Sequence, residues 1–536
     1  MSLALSMKAL SSIGQRRTVQ RAALLAILAL AFFFRLWQID KEPLWLDEAY
    51  SLHLGSLALP SLWQRVTLTD QHPPLYYGWL SVWMRFGASE LHVRLLSVFF
   101  SCLTVALTAR LAYRWFGQTA AGLAALLLAL SPYSIRYAQE ARMYSLLTMC
   151  IVICLLGLSY WLVREIGMTS TRRSLLLYVA GMGGALWTHN MAILVWATIC
   201  LWGLLGGKRH LLPRRRPFWL AQGAVCLLWL PWLPFFVQQS LAVDRRFWIP
   251  APTWDSVSNG LGMLALAYQP SSLLWLIPVG ALYLAALANG LKALHRRQAL
   301  FWLVAALLVL PLAMQLLVSV RRPLFGERTL LWLTPLLLIL VAGGVAAWQK
   351  ALAPPVGRKN NPAPDSSFPS VSRPAAQLQY LLPAVAVFVL ATASLLGATY
   401  YYRHVTREGW RDAAAYVAGQ AQPGDLVLLH TPWIELPFAY YFDRTAQETG
   451  LTHVTLAGTP RPLFDQNELE PPVLPGDLAK LEEQIRGAQR VWLVYSHAWY
   501  SDPEGLIPAA LATHLSAGHK QQFDFDIEIQ LFEAQK

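Results

Sequence analysis

Long apolar runs separated by short, mostly basic loops dominate the first 400 residues. A helix needs about 20 mainly apolar residues to cross a bilayer. Eleven stretches approach that length: 22–39, 92–113, 119–136, 143–163, 174–188, 191–206, 217–237, 272–291, 299–320, 328–348 and 378–400. The segment 74–87 is apolar but short and aromatic, and it predicts a helix lying along the membrane surface. After Tyr400 the apolar runs shrink to strand length, at 425–430, 490–495 and 523–532. The last of these alternates with period two, as a half-buried strand does. Helical patterns around 409–420 and 476–487 lie between them. The expected fold class is a polytopic α-helical membrane protein of about 11 spans with a C-terminal α/β domain.

The loops predict an orientation. With the N-terminus (1–21, carrying Lys8, Arg16, Arg17 and Arg21) in the cytoplasm, the other cytoplasmic loops hold Arg110 and Arg114; Arg164, Arg172 and Arg173; Lys208, Arg209 and Arg214 to Arg216; Lys292, Arg296 and Arg297; and Lys350, Arg358, Lys359 and Arg373. Every one is basic, as the positive-inside rule requires. The segments 40–91, 137–142, 189–190, 238–271 and 321–327 then face outward. A multi-pass domain over 22–349 is followed by a Pro-rich cytoplasmic linker at 350–377, which reads as flexible, by a last span at 378–400, and by an extracytoplasmic domain at 401–536. The first span carries Phe32-Phe33-Phe34-Arg35-Leu36-Trp37 and no small-residue cleavage site, so a retained helix is expected rather than a signal peptide. The expected location is a plasma (inner) membrane.

Composition agrees. The chain is 56% hydrophobic and 14% charged, against about 25% charged residues in an ordinary soluble domain. The net charge of +13 is accounted for by the cytoplasmic loops, and no nucleic-acid partner is implied. All five cysteines lie in apolar stretches, which argues against a disulfide framework or a cysteine zinc site.

The candidate chemistry gathers on the outward side. Asp47 and Glu48 adjoin the first membrane exit, where a charge loses hydration. A helix cap or an interfacial solvation pair would explain them; so would a general base taking a proton from an attacking hydroxyl. Flanking Trp45 and Tyr50 suit an interface belt or stacking on a sugar ring. His72 in Asp70-Gln71-His72-Pro73-Pro74 is either part of a rigid turn or a ligand or phosphate contact. Asp70, His72 and His189 are weak candidates for a divalent metal site, and His189 in Trp187-Thr188-His189-Asn190 is either a polar hairpin cap or a substrate or phosphate contact. Glu140 and Arg142, in a short loop near Arg136, are either structural, with Glu140 paired to Arg142 or Arg136, or functional, Glu140 in catalysis and Arg142 in substrate or phosphate binding. Arg321, Arg322 and Arg328 stand outside against the charge trend. They suit lipid headgroups or, through guanidinium forks, a phosphate. Arg94 could share that task.

Together, Trp45 to Ser51, Asp70 to Tyr77, Gly87 to Ser97, Ser131-Pro132-Tyr133 through Gln139-Glu140-Ala141-Arg142-Met143-Tyr144, and Gly326-Glu327-Arg328 with Leu333-Thr334-Pro335 resemble the GT-C glycosyltransferases. The likeness is to the bacterial protein-mannosyltransferase-like group with its aminoarabinose-transferase and rhizobial lipopolysaccharide glycosyltransferase types, and it covers most of 20–345. It implies a polyprenyl-phosphate-linked sugar donor, a glycan, lipid or protein acceptor, transfer at the outer membrane face and inversion at the anomeric carbon. Asp47 matches the first-loop acid proposed as catalytic, and Glu140 falls near the family's second acidic position. Some members carry Glu-Lys-Pro-Pro where this chain has Gln71-His72-Pro73-Pro74, so a metal or phosphate role does not carry over there. No cofactor is implied beyond a possible divalent metal ion. The chain lacks a Gly-rich phosphate loop in its membrane part, consistent with a donor that is not a nucleotide sugar.

Two other classes make different demands on the sequence. A lipid-linked sugar flippase predicts charges near mid-membrane and related halves, whereas here the polar clusters crowd one face. A non-catalytic glycan-binding membrane protein would leave Asp47 dispensable.

Overall fold

The computed structural model describes residues 2–70, 72–163, 171–208, 212, 214–242, 251–321, 324–352, 373–459 and 472–535. Arg322 and most of the linker expected at 350–377 lie outside the described residues. The chain opens with helix α1 (Ser2–Leu36), then three short helices, α2 (Leu46–Ser56), α3 (Leu59–Thr69) and α4 (Leu75–Trp83). Next come α5 (Glu90–Phe116), α6 (Gln118–Leu130), α7 (Pro132–Ala138) and α8 (Tyr144–Leu162). Among the described residues eight helices are long and apolar enough to cross a membrane, and α6 with α7 makes a ninth if the bent pair crosses as one. Two further expected spans, 174–188 and 191–206, are the shorter helices Thr171–Leu186 and Ala192–Lys208. All eleven expected stretches are therefore helical, but length qualifies fewer of them as spans.

Small residues bring neighbouring helices into backbone contact, as is usual where lipid offers no hydrophobic drive to pack. A Cβ on Gly344 would lie 1.8 Å from the Ala286 carbonyl oxygen, and one on Gly290 would lie 2.0 Å from that of Leu340. These two glycines let the helices Leu273–Leu294 and Leu333–Ala351 touch.

The bend between α6 and α7 is 58°. Pro132 cannot continue α6, and Ser131 opens α7 by accepting the Ser134 N–H at 3.4 Å. A break inside apolar surroundings strands carbonyls that need donors. Arg35, wholly buried near the end of α1, supplies them. Its guanidinium donates to the carbonyls of Leu128 (3.1 Å) and Ala129 (3.0 Å) and to the hydroxyls of Ser101 (2.8 Å) and Ser134 (3.0 Å).

The C-terminal part carries strands β1 (Leu426–His430), β2 (Thr455–Gly458), β3 (Arg490–Tyr495), β4 (Leu515–Phe523) and β5 (Ile527–Ala534). Their order is β2-β1-β3-β5-β4, with β1 parallel to both neighbours and β5 antiparallel to β3 and β4. Helices Trp410–Gln420 and Leu478–Ile485 occupy the stretches expected to be helical. The strand expected at 523–532 is instead a hairpin: the chain turns at 524–526, with Phe525 (φ 59°) and Asp526 (φ 55°) in the left-handed region. The period-two alternation ran through the turn and concealed it. A short hairpin loop needs positive φ, which aspartate tolerates.

Candidate active site

Adjacent residues of a helix point about 100° apart, and this separates the two acids of α2. Both lie in its first turn, where the helix dipole favours negative charge. Asp47 keeps 27% of its side-chain surface exposed and receives Arg328 Nη1 on Oδ2 at 2.8 Å. Arg142 Nη2 stands 3.7 Å from the same oxygen, while Arg142 Nη1 donates to the Asp47 carbonyl and to Ser51 Oγ, each at 3.1 Å.

Glu48 faces inward and is wholly buried. Arg94 grips it with two bonds, Nε to Oε1 at 2.9 Å and Nη2 to Oε2 at 2.7 Å. Arg407 Nη1 reaches Oε2 at 2.7 Å and the Ala141 N–H reaches Oε1 at 2.8 Å. A carboxylate so enclosed has no free direction toward a substrate, so the expected catalytic role for Glu48 gives way to an architectural one. Arg94 is corrected likewise. It is wholly buried, and its remaining donors go to the carbonyls of Ile39 (2.6 Å), Glu42 (2.9 Å) and Pro43 (2.9 Å). All five guanidinium N–H groups are engaged, which leaves none for a phosphate.

Glu140 is buried beside this group. Its Oε1 lies 3.8 Å from both Arg136 Nε and Arg407 Nη2. Its Oε2 is buried without a hydrogen-bond partner, as is Nε of Arg142. Arg136 is drawn to Glu327 Oε1 (2.7 Å) and the Tyr268 hydroxyl (2.7 Å) instead.

His72 and His189 approach with ring centroids 5.0 Å apart, and Tyr144 stands 6.0 Å from His189. His72 Nδ1 bonds Asp70 Oδ1 at 3.2 Å. His189 Nδ1 accepts the Met191 N–H at 3.1 Å. No group of three or more His, Cys, Asp or Glu among the described residues is placed to hold a metal ion. The donor set does not fit the metal site that Asp70, His72 and His189 suggested.

The structure therefore gathers Asp47, Arg142, Arg328, His72, His189 and Glu140 around one place. Arg321 is not brought to it; it is exposed beyond the helix Gln298–Ser319. Sequence reasoning missed Arg407 and Glu327 as members. Glu327 stood inside a quoted stretch beside Arg328. Arg407, just after the last span, carried no signal of its own.

Burial would raise the Asp47 carboxyl, but Arg142, Arg328 and His72 together hold it below the usual aspartate value. Burial likewise opposes ionisation of Glu48, and Arg94 and Arg407 override it. Burial lifts Glu140 above its ordinary value despite Arg407 and Arg136, and it keeps His189 well below the ordinary histidine value, reinforced by His72 and Arg142. A carboxyl depressed in the fold contributes stability that is fully present above its unfolded value, about pH 4.3 for Glu, and that is lost as pH falls through the lower folded value. The wild-type melting temperature in detergent is thus expected to fall more steeply below about pH 4 than that of Glu48→Gln. Parallel curves would contradict this account of Glu48.

Residues 71–235 match the family described as dolichyl-phosphate-mannose-protein mannosyltransferase. No curated protein matches the chain in sequence. Among solved structures it is similar to ArnT from Cupriavidus metallidurans bound to undecaprenyl phosphate, at 17% identity and TM-score 0.56, covering 95% of this chain and 97% of that one. It is also similar to the oligosaccharyltransferase AglB from Archaeoglobus fulgidus in complex with an inhibitory peptide and a dolichol-phosphate, at 10% identity and TM-score 0.57, covering 94% of this chain and 73% of that one. Helices, sheet and these likenesses lead to one conclusion: the chain is a multi-pass membrane protein that shares the fold of these ArnT and AglB structures, with a C-terminal α/β domain.

Proposed function

We propose that the protein transfers a sugar from a polyprenyl-phosphate donor to a glycan, lipid or protein acceptor at the outer face of a plasma membrane, with inversion at the anomeric carbon. The observation that carries this reading is Asp47 held between Arg328 and Arg142. An ionised, partly exposed carboxylate and two guanidinium groups, the partners needed by an attacking hydroxyl and a departing phosphate, meet at one point. The solved relatives with undecaprenyl phosphate and dolichol-phosphate support the donor class.

In this mechanism the acceptor hydroxyl hydrogen-bonds Asp47 and its oxygen attacks the sugar C1. The bond from C1 to the phosphate oxygen breaks, its electron pair leaves with the lipid phosphate, and the proton passes to Asp47. Arg328 and Arg142 stabilise the phosphate charge. His72, the ring of Tyr144 and His189, which burial keeps neutral, border the sugar. Glu140, with one open oxygen and a raised pKa, is suited to hold a sugar or acceptor hydroxyl.

Release of polyprenyl phosphate from a polyprenyl-phosphate-linked sugar, in step with sugar transfer, tests the reading. Arg328→Ala is expected to weaken donor binding about 10- to 100-fold, the equivalent of a charge-assisted hydrogen bond of about 1.5–3 kcal/mol. Transfer from nucleotide sugars alone would remove the proposal.

The N-terminus is assigned to the cytoplasm and the domain 401–536 to the outer side, with 40–91 as the outer loop bearing Asp47. The basic loops support this. So does the bonding of Arg407 and Arg411 to residues 40–90, as expected if that loop and the C-terminal domain share one side of the membrane. A reporter active only in the cytoplasm, fused at the C-terminus, is expected to stay silent; activity would reverse the assignment.

A further inference from the structure

Asp47 is flanked by residues whose fixed partners come from the far end of the chain. Four polar contacts lead from Arg407 into the site region. Its Nη1 bonds Glu48 Oε2 at 2.7 Å, its Nη2 bonds the Gln139 carbonyl at 3.0 Å and lies 3.8 Å from Glu140, and its backbone N–H bonds Glu42 Oε2 at 2.9 Å. The next residue, Glu408, accepts the Leu46 N–H on Oε2 at 2.9 Å and the Trp410 Nε1–H at 2.5 Å. Leu46 opens α2, and the first N–H groups of a helix have no partner within it. Trp45, which precedes α2, supplies no side-chain cap. Glu408 supplies one from 362 positions away. Residues 46 and 48 are thus held by residues 408 and 407, and Asp47 lies between them in the chain, with its own side-chain ion pairs going to Arg328 and Arg142.

The same surface is braced further out. The Tyr441 hydroxyl accepts the Leu44 N–H at 2.6 Å and donates to Glu90, and Arg411 bonds Glu90 at 2.7 Å and the carbonyls of Asp40 and Lys41 at 3.0 Å each.

We propose that Arg407 and Glu408 are positioning residues of the transfer site, contributed by the C-terminal domain and acting on Asp47 through the first turn of α2. This rests on the transfer reading above. The domain is then part of the active site rather than an appendage. Arg407 is the better probe, because Glu48 keeps its bidentate Arg94 partner when Arg407 is removed.

Arg407→Ala is expected to lower kcat about 100-fold, the scale of a misplacement near 1 Å, with the donor KM changed less than about threefold. Arg407→Lys restores part of the loss, since an ammonium returns the charge without the fork. Glu408→Ala lowers kcat in the same direction. A kcat within about twofold of wild type in a folded Arg407→Ala protein would overturn the proposal. If that variant does not fold, unaltered kcat in both Arg407→Lys and Glu408→Ala would do so. Hydrogen exchange over residues 44–52 gives a readout independent of chemistry: Arg407→Ala is expected to exchange at least about tenfold faster there, with the transmembrane helices unaffected. Unchanged exchange would overturn the positioning claim even if the wild type transferred no sugar, whereas faster exchange with an inactive wild type would sustain positioning and remove only the transfer reading.

Discussion

Asp47→Asn is expected to reduce sugar transfer about 10²- to 10⁴-fold, the usual contribution of a positioned general base, while the protein folds and binds its donor normally. Asparagine preserves the side-chain volume and can still accept a hydrogen bond from Arg328, which lies 2.8 Å from the carboxylate. What it loses is the capacity to take a proton. The carboxylate now competes with any phosphate for Arg328 and Arg142, so the variant should bind polyprenyl phosphate as well as or better than the wild type. Transfer rate and lipid-phosphate affinity, measured on the same preparation, separate these effects. Normal transfer would remove Asp47 from the mechanism. Loss of transfer together with loss of lipid-phosphate binding would make it a binding residue instead.

Glu48→Gln should act in the opposite way, on the fold before the chemistry. The substitution leaves Arg94 fully buried with a neutral partner. Breaking one side of a buried ion pair costs about 3–5 kcal/mol, a large share of a typical total stability of about 5–15 kcal/mol. The expected result is a markedly lower melting temperature in detergent, faster proteolysis and poor accumulation in membranes. A protein that melts like the wild type and yet transfers no sugar would return Glu48 to the chemistry. The two variants together divide adjacent acids into one that reacts and one that holds the loop in place.

That division could not be read from the sequence. An apolar exit followed by two acids marked the position, because charge beside hydrocarbon is costly wherever it occurs. The arginines that distinguish the two acids are 46 and 359 positions from Glu48 and 281 from Asp47, and nothing local encodes such pairings. Arg94 shows the same limit. Its place at the outer end of a helix suggested a phosphate ligand, but only the fold reveals three carbonyls folded over it. Helical stretches were legible, since length and apolarity act locally, as were the strands at 426–430 and 490–495. The hairpin at 524–526 was not, because its alternation passes unbroken through the turn. The short helices of 46–69 were not legible either, because they are too brief for a clear period and the charges of this loop mask it.

The broken helix has a consequence for biogenesis. Arg35 emerges from the ribosome with the first hydrophobic segment, but its carbonyl acceptors on Leu128 and Ala129 come 93 and 94 residues later. At roughly 5–20 residues per second, the guanidinium waits about 5–20 s for them. Until then its partners are the Ala31 carbonyl of its own helix and, from 66 residues on, Ser101; an arginine only partly satisfied in the bilayer is disfavoured by a few kcal/mol, so the end of the first segment is expected to stay among lipid headgroups or water during that interval. The full set of Arg35 partners is complete only once the fragment around Ser131 has been delivered, so the first segment is expected to reach its final depth late in membrane insertion.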